Sequence, residues 1–297
     1  VADDKDAAWR ARVPDLLRRC AAKWSLTLNE PLTGGYLAAV YGCTGPGGED
    51  LVLKLSPPLA NPTIEARALA HWGGNGAATL VAGDEDAGAL LLERIRPGTL
   101  LMDQDRSALD DDLAVRAASW ALASMQSVPA PTAGSFPSFD DKFQWWLDYT
   151  RAFGEPDAAG TAMLPLMERA ARALDASARR KTLAHGDFLA KNVLLSDDGR
   201  YVAVDPLPYI GDPASDCGHF SSYHSPVATV IPRARAIAVA TGNAPDRAAQ
   251  WAAVWTVGEA CETWREDSDD LQAWVLGKEC HELLESSRST HVFGGSG

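Results

Sequence analysis

Apolar positions along the chain fall into two textures. Trp9, Val13, Leu16, Leu17, Cys20 and Trp24 recur at three- and four-residue steps and predict an amphipathic helix over 8–24. Short apolar runs then alternate with glycine and proline. Leu32-Thr33-Gly34-Gly35-Tyr36 leads into a strand at Ala38–Tyr41, a turn with glycines at 45, 47 and 48, and a strand at Leu51–Leu55. A proline-rich break over 57–62 precedes a helix at Thr63–Trp72, with Pro62 near its start and Glu65 in its first turn. Two further short strands are predicted at Ala78–Val81 and Ala89–Glu93. Pro97-Gly98 marks a hinge-like break, after which the period turns helical over 105–127, 139–153 and 161–180. Residues 181–215 return to short apolar runs between turns, and from Arg233 onward the pattern is helical, its longest element expected over Pro245–Arg265. This order predicts an α+β fold of two lobes: a small β-rich N-lobe over 1–95 with a leading helix, and a larger, mainly helical C-lobe over 96–293. A cleft between two such lobes is a common place for a ligand. Residues 294–297 read as a linker-like tail.

Composition narrows the function classes. A chain of 297 residues, 46% hydrophobic and 23% charged, is ordinary globular material and suits two lobes. The net charge of −13 gives little basis for a nucleic-acid-binding face. It either attracts a cationic small molecule or only aids solubility. No apolar run is long enough to span a bilayer, and the polar start Val1–Lys5 does not read as a signal peptide. The five cysteines are widely spaced, without a C-x-x-C, so neither a disulfide framework nor a zinc site is suggested. Reduced thiols fit a cytoplasmic protein. A monomer or weak dimer is expected.

The most informative stretch is His185-Gly186-Asp187-Phe188-Leu189-Ala190-Lys191-Asn192, followed by Tyr201-Val202-Ala203-Val204-Asp205-Pro206. Asp187 and Asn192 are five apart and Asp205 lies thirteen further on, the spacing of the protein-kinase catalytic loop and its metal-binding aspartate. An acidic chain can hold nucleotide phosphates only through local cations. Mg²⁺ takes oxygen ligands and keeps some of its waters, so the Asp205 carboxylate and the Asn192 amide carbonyl suffice. Asp187 is then the group that accepts a hydrogen bond from an attacking hydroxyl and aims it at phosphorus. Each of these residues alone could be a turn former; together, flanked by apolar strands, they read as a catalytic set.

The H-G-D form of this loop resembles the aminoglycoside phosphotransferases. The run Asp205-Pro206-Leu207-Pro208-Tyr209-Ile210-Gly211-Asp212-Pro213-Ala214-Ser215-Asp216 resembles their streptomycin 6-phosphotransferase and hydroxyurea phosphotransferase branch. So do Leu91–Arg94 with Pro97-Gly98, and Ala68–Gly76. The likeness extends from about Arg12 to about Leu284. It implies a bilobal protein-kinase-like fold and a Mg²⁺-dependent kinase that moves the γ-phosphoryl group of ATP, or GTP, to a hydroxyl of a streptomycin-like aminoglycoside, a resistance activity. Residue by residue, it implies that Asp187 is catalytic, that Asn192 and Asp205 hold metal, and that Lys54 grips the phosphates with Glu65 as its ion-pair partner. Residues 93–96, with Glu93 and Ile95, would form the hinge that meets the base, and Gly34 and Gly35 would let the first loop approach the phosphates. The sequence departs from protein kinases in lacking a full G-x-G-x-x-G and in having Pro206 after Asp205, so activation-loop control is not expected.

Other positions keep two readings. Glu259, Glu262 and Glu266 share one face of the expected last long helix; they are a solvated face or a cation-binding wall for the acceptor's amines. Trp251, Trp255 and Trp264 read as core. His185 reads as a loop brace, and Asp212 and Asp216 as helix caps or braces of the catalytic loop. His219 and His224, in a loop-like stretch, form a weak basis for a metal site. The rivals are a kinase of another small metabolite or antibiotic in the same fold, and a catalytically silent nucleotide- or drug-binding module.

Overall fold

The strand Asp50–Leu55 shows why the N-terminal sheet forms. Its even and odd positions serve two different cores. The computed structural model describes residues 2–32, 38–102, 109–153, 158–261 and 268–287. Helix α1 (Ala2–Trp24) precedes β1 (Thr27–Pro31), β2 (Ala39–Thr44), β3 (Asp50–Leu55), α2 (Pro62–Trp72), β4 (Leu80–Asp84) and β5 (Ala89–Glu93). The strands form one antiparallel sheet in the order β1-β2-β3-β5-β4. Leu51, Leu53 and Leu55 share a core with Trp9, Val13, Leu16, Leu17 and Cys20 of α1. Val52 and Lys54 point the other way, because successive strand side chains alternate. On that second face Leu90, Leu92 and Val52 join Leu69 and Trp72 of α2 in the main core. Asn61 caps α2 by accepting the Ile64 N–H (3.4 Å), Pro62 sits at its first turn, and Gly73 ends it at φ 55°.

The C-terminal lobe begins with β6 (Pro97–Leu100), then α3 (Asp111–Ser127), α4 (Phe139–Phe153), α5 (Ala159–Ala176), β7 (Thr182–Ala184), β8 (Val193–Ser196), β9 (Tyr201–Ala203) and β10 (Tyr209–Gly211). Five helices complete it: α6 (Ala214–Ser222), α7 (Val227–Ala240), α8 (Pro245–Glu259), α9 (Ser268–Val275) and α10 (Lys278–Ser286). Two small antiparallel sheets, β6-β8-β9 and β7-β10, present the segment from His185 to Asp205. Helix α8 is buried nearly all round, and α5, α6 and α7 pack on it. The lobes share one continuous core, and the chain after α2 is pinned to β9: the Ala78 N–H donates to the Ala203 carbonyl and the Ala203 N–H to that of Gly76, both at 2.9 Å. Among the described residues no helix is long and apolar enough to cross a membrane.

Several boundaries differ from the sequence expectations. The hinge-like break at Pro97-Gly98 is the start of β6, which pairs with β8. Strand β1 was not foreseen: it is an exposed, polar edge strand without alternation. The strand expected at 78–81 runs from Leu80 to Asp84. Helix α5 stops at Ala176 rather than at residue 180, closed by Ser177. The loop-like stretch that holds His219 is helix α6; it is buried on all sides and rich in Ser, Gly and Cys, so it has no amphipathic period to read. Helix α7 starts at Val227, before Arg233, and carries Pro232 within it. Helix α8 ends at Glu259, six residues short of Arg265. The first residues of the helix expected at 105 lie outside the described residues; α3 begins at Asp111, capped by Asp110, which accepts the Leu113 N–H (2.9 Å).

Asp212 ties this lobe together. It is 2% exposed. Its carboxylate accepts the Ala214 N–H (3.0 Å) at the start of α6, the Trp251 indole N–H (2.7 Å) and the Arg247 guanidinium from α8. Removing one member of a buried ion pair leaves the other uncompensated. Asp212→Ala is therefore expected to destabilise the protein by about 3–5 kcal/mol. Urea unfolding checks this, and a midpoint unchanged from wild type would contradict it.

Candidate active site

Lys54 enters the site because β3 alternates. Its side chain leaves the sheet on the face opposite the α1 core and lies buried between the lobes. The Nζ donates to Glu65 Oε1 at 2.7 Å and to Asp205 Oδ1 at 2.8 Å. Glu65 comes from the first turn of α2 and is 4% exposed. Burial works against the Lys54 charge, but Glu65 and Asp205 outweigh it and its pKa is raised. Asp205 follows β9 in a left-handed conformation (φ 58°), half-exposed, with its carboxylate turned to the lysine.

The segment His185–Asn192, expected to be catalytic, follows β7. Gly186 adopts φ 76°, and a Cβ there would lie 2.1 Å from the Leu207 carbonyl oxygen, so both the conformation and the space demand glycine. The Asp216 carboxylate on α6 accepts the N–H groups of His185 (2.7 Å) and Gly186 (3.1 Å). Burial pushes Asp216 up to about 6, against these two hydrogen bonds. His185 stacks on Trp72 (centroids 6.1 Å apart) and bridges the loop. Its Nε2 meets the Val204 carbonyl at 3.0 Å, and its Nδ1 accepts the Asp187 N–H at 3.3 Å. Burial pulls His185 down to about 4, so near neutrality it is an uncharged brace. Asp212, just before the Pro213 N-cap, accepts the first N–H of α6, and Asp216 braces the loop.

Asp187 and Asn192 are joined directly. The Asn192 amide N–H₂ donates to the Asp187 carbonyl (2.9 Å) and to its Oδ2 (2.8 Å). That use of the nitrogen leaves the amide oxygen as a donor atom for a cation. Burial pushes the Asp187 carboxyl upward, opposed by Lys191, Asn192 and Lys142. Asn192 Oδ1 and the Asp205 carboxylate are hard oxygen donors, a set that suits Mg²⁺ completed by water and phosphate oxygens.

Beside Asp187, within the C-terminal lobe, lies a pocket of about 550 Å³. Phe143 and Trp146 of α4 and Trp255 of α8 form its wall, with Trp145 and Tyr149 also lining it. Its charged lining residues are Asp187, Lys142, Lys191 and Glu259. His219 also lines it, stacked on Trp255 with centroids 4.1 Å apart; burial pulls it down to about 3, so it is neutral. Lys54, Glu65, Asp187, Asn192 and Asp205 thus converge. Glu93 closes β5 with an exposed side chain and its N–H on the Thr79 carbonyl (3.1 Å), while Ile95 is half-buried against the main core. Gly34, Gly35, Glu262, Glu266 and Trp264 lie outside the described residues. The helix expected to carry the three glutamates ends at Glu259, which lines the pocket. Trp251 is core as expected, but Trp255 is both core and pocket wall. Sequence reasoning missed Lys142 and the α4 aromatics. Their spacing at 142, 145, 146 and 149 keeps them on one side of a helix, a signal shared with ordinary core packing.

A sequence model of the aminoglycoside/hydroxyurea antibiotic resistance kinase family matches residues 23–268. A streptomycin 6-kinase of Streptomyces griseus is 29% identical over 225 residues, which are 72% of this chain and 68% of that protein. Among solved structures, a choline/ethanolamine kinase family protein of Mesorhizobium loti superposes with a TM-score of 0.62 at 17% identity, covering 92% of this chain and 99% of that one. An ADP-bound aminoglycoside phosphotransferase superposes with a TM-score of 0.52 at 15% identity, covering 94% and 99%. These superpositions establish the bilobal protein-kinase-like fold.

Gly186 and Gly199 have nearly the same φ, 76° and 80°, but a Cβ at Gly199 meets nothing within 4 Å. Gly199→Ala is expected to cost about 1–2 kcal/mol, the strain of the left-handed conformation. Gly186→Ala is expected to cost clearly more, because the Leu207 backbone must also move. Chemical denaturation of the two variants side by side checks this; equal losses would refute the close approach.

Proposed function

The chain belongs to the aminoglycoside/hydroxyurea antibiotic resistance kinase family, and on that premise we propose that it transfers the γ-phosphoryl group of ATP, or GTP, to a hydroxyl of a streptomycin-like aminoglycoside. The reading is carried by the convergence of Lys54, tied at once to Glu65 and Asp205, with an Asn192-oriented Asp187 that opens on a separate pocket. In the reaction the acceptor oxygen bonds to the γ-phosphorus as the bond to the β–γ bridging oxygen breaks. The hydroxyl proton passes to the Asp187 carboxylate, and the nucleoside diphosphate leaves. A loose transition state asks mainly for alignment, so the hydrogen bond that fixes the Asp187 carboxylate matters more than its basicity. Lys54 supplies positive charge to the phosphates. A magnesium ion, which Asp205 and the Asn192 amide oxygen would hold, neutralises phosphate charge when bound. The intact set of Lys54, Asp187, Asn192 and Asp205 speaks against a silent binding module.

A second reading, a small acceptor of low charge from the hydroxyurea side of the family's range, is favoured by one observation: Lys142 and Lys191 both line the pocket. Asp187→Asn separates either kinase reading from the silent one. The variant is expected to bind nucleotide with an affinity near that of the wild type and to lose about 10²–10⁴-fold in turnover, the usual worth of a positioned general base. A coupled assay of nucleoside diphosphate release with streptomycin or hydroxyurea measures it. Undiminished turnover would remove Asp187 from the role.

A further inference from the structure

The acceptor pocket carries its own cations on its aromatic faces. Lys142 Nζ lies 4.2 Å from the centroid of the Trp145 ring, and Lys191 Nζ lies 5.4 Å from that of Tyr223. All four residues line the same pocket as Asp187. A ring face attracts a cation through its quadrupole, and these faces are already engaged. Lys142 is half-buried and, among the described residues, has no carboxylate within ion-pair distance. Burial pulls it down to about 8 against the attraction of Asp187, so at neutral pH it remains mostly charged.

The wall around this lysine is fixed. A Cβ at Gly258 would lie 2.5 Å from the Trp146 ring, so that indole packs directly on the α8 backbone. Trp146 also meets Trp255 edge-on, with centroids 5.6 Å apart. Trp145 and Tyr149 stack on each other at 6.0 Å and remain 54% and 48% exposed. Together the two half-exposed rings make an aromatic wall beside Lys142, a surface that suits the ring of an acceptor. The carboxylates among the described lining residues, Asp187 and Glu259, come from the catalytic loop and α8 rather than from α4.

We propose that Lys142 is a specificity-determining residue of the acceptor pocket, a fixed positive charge that admits acceptors presenting an uncharged ring or polar group to the α4 wall and penalises those that place an ammonium or guanidinium there. This rests on the reading of the pocket as the acceptor side of the kinase. A polycationic acceptor must then enter with its charges turned toward Asp187 and Glu259, and an acceptor of low charge enters without that restriction.

Lys142→Met removes the charge at nearly constant length. Binding of streptomycin, which carries two guanidinium groups, and of neutral hydroxyurea is followed by the fluorescence of the lining tryptophans and by steady-state kinetics. The variant is expected to bind streptomycin about tenfold more tightly, the scale of one nearby charge removed, with a similar rise in the streptomycin-to-hydroxyurea ratio of kcat/KM, carried mostly by KM. Lys142→Arg should keep the wild-type ratio, and Lys142→Gln gives the same comparison if the methionine variant is unstable. No gain in streptomycin affinity, whether both proteins bind it equally or neither binds it, would overturn the proposal. So would an equal gain for both compounds, which would indicate a merely wider pocket. Tighter streptomycin binding without phosphorylation by the wild type or the variant would keep Lys142 as the charge filter and remove the aminoglycoside kinase reading instead.

Discussion

A buried lysine held by two carboxylates from different parts of the chain is the constraint on which this structure depends. Lys54 is surrounded by apolar strands, where an isolated ammonium would be costly. Glu65 and Asp205 make its burial tolerable, and each must come from a separate element: the first turn of α2 and the turn that follows β9. Their meeting fixes the position of the N-terminal sheet over the catalytic segment. The bonds between Gly76, Ala78 and Ala203, and the stack of Trp72 on His185, run beside the same junction and hold it from the apolar side. Breaking such an ion pair from one side is expensive even though forming it adds little net stability, so the cluster specifies an arrangement more than it strengthens the fold.

The second layer of constraint is backbone geometry. The catalytic loop turns sharply at Gly186, and the Asp216 carboxylate takes up the two N–H groups that this turn leaves facing the interior. An acid pushed up to about 6 by burial is itself poorly placed, and only those two hydrogen bonds justify it. His185 contributes in the opposite sense. Burial keeps it neutral, so one ring nitrogen can meet a carbonyl while the other accepts an N–H. The loop is thereby determined by groups that never approach the reacting atoms.

Much of this was legible in the sequence because the nucleotide side of the site uses residue types that are costly unless they are used. A lysine between leucines, and an acid, an amide and an acid at fixed spacing, leave few bland explanations. The strands and most helices were legible for a related reason: one-sided burial writes a period of two or 3.6 into the chain. Where burial is not one-sided the signal vanishes. Helix α6 is buried all round and its sequence reads as loop; β1 is exposed and polar and its sequence shows no period. The end of α8 was overrun because the acidic residues after Glu259 continue a helical spacing that carries no stop signal such as glycine or proline. The acceptor side was hidden by an ambiguity of another kind. An aromatic residue facing a pocket and one facing a core obey the same spacing, so Trp145, Trp146 and Tyr149 could not be assigned from sequence alone.

That ambiguity has a physical consequence for how the two sides of the site differ. Nucleotide phosphates are the same in every kinase, and their recognition is written in charges at set intervals. An acceptor is recognised by shape and by the balance of charge around it, which only the folded chain assembles. Here one wall of the pocket beside Asp187 joins aromatic rings to a lysine that sits on one of them, while the neighbouring acids come from other elements. The net charge of −13 suggests an attraction for cations, but that figure averages over the whole chain. A pocket of this size samples the few charges within about one Debye length, and in poorly hydrated surroundings even those are weakly screened. The sign of the local field is therefore set by Lys142, Lys191, Asp187 and Glu259, and the acceptor responds to these rather than to the total.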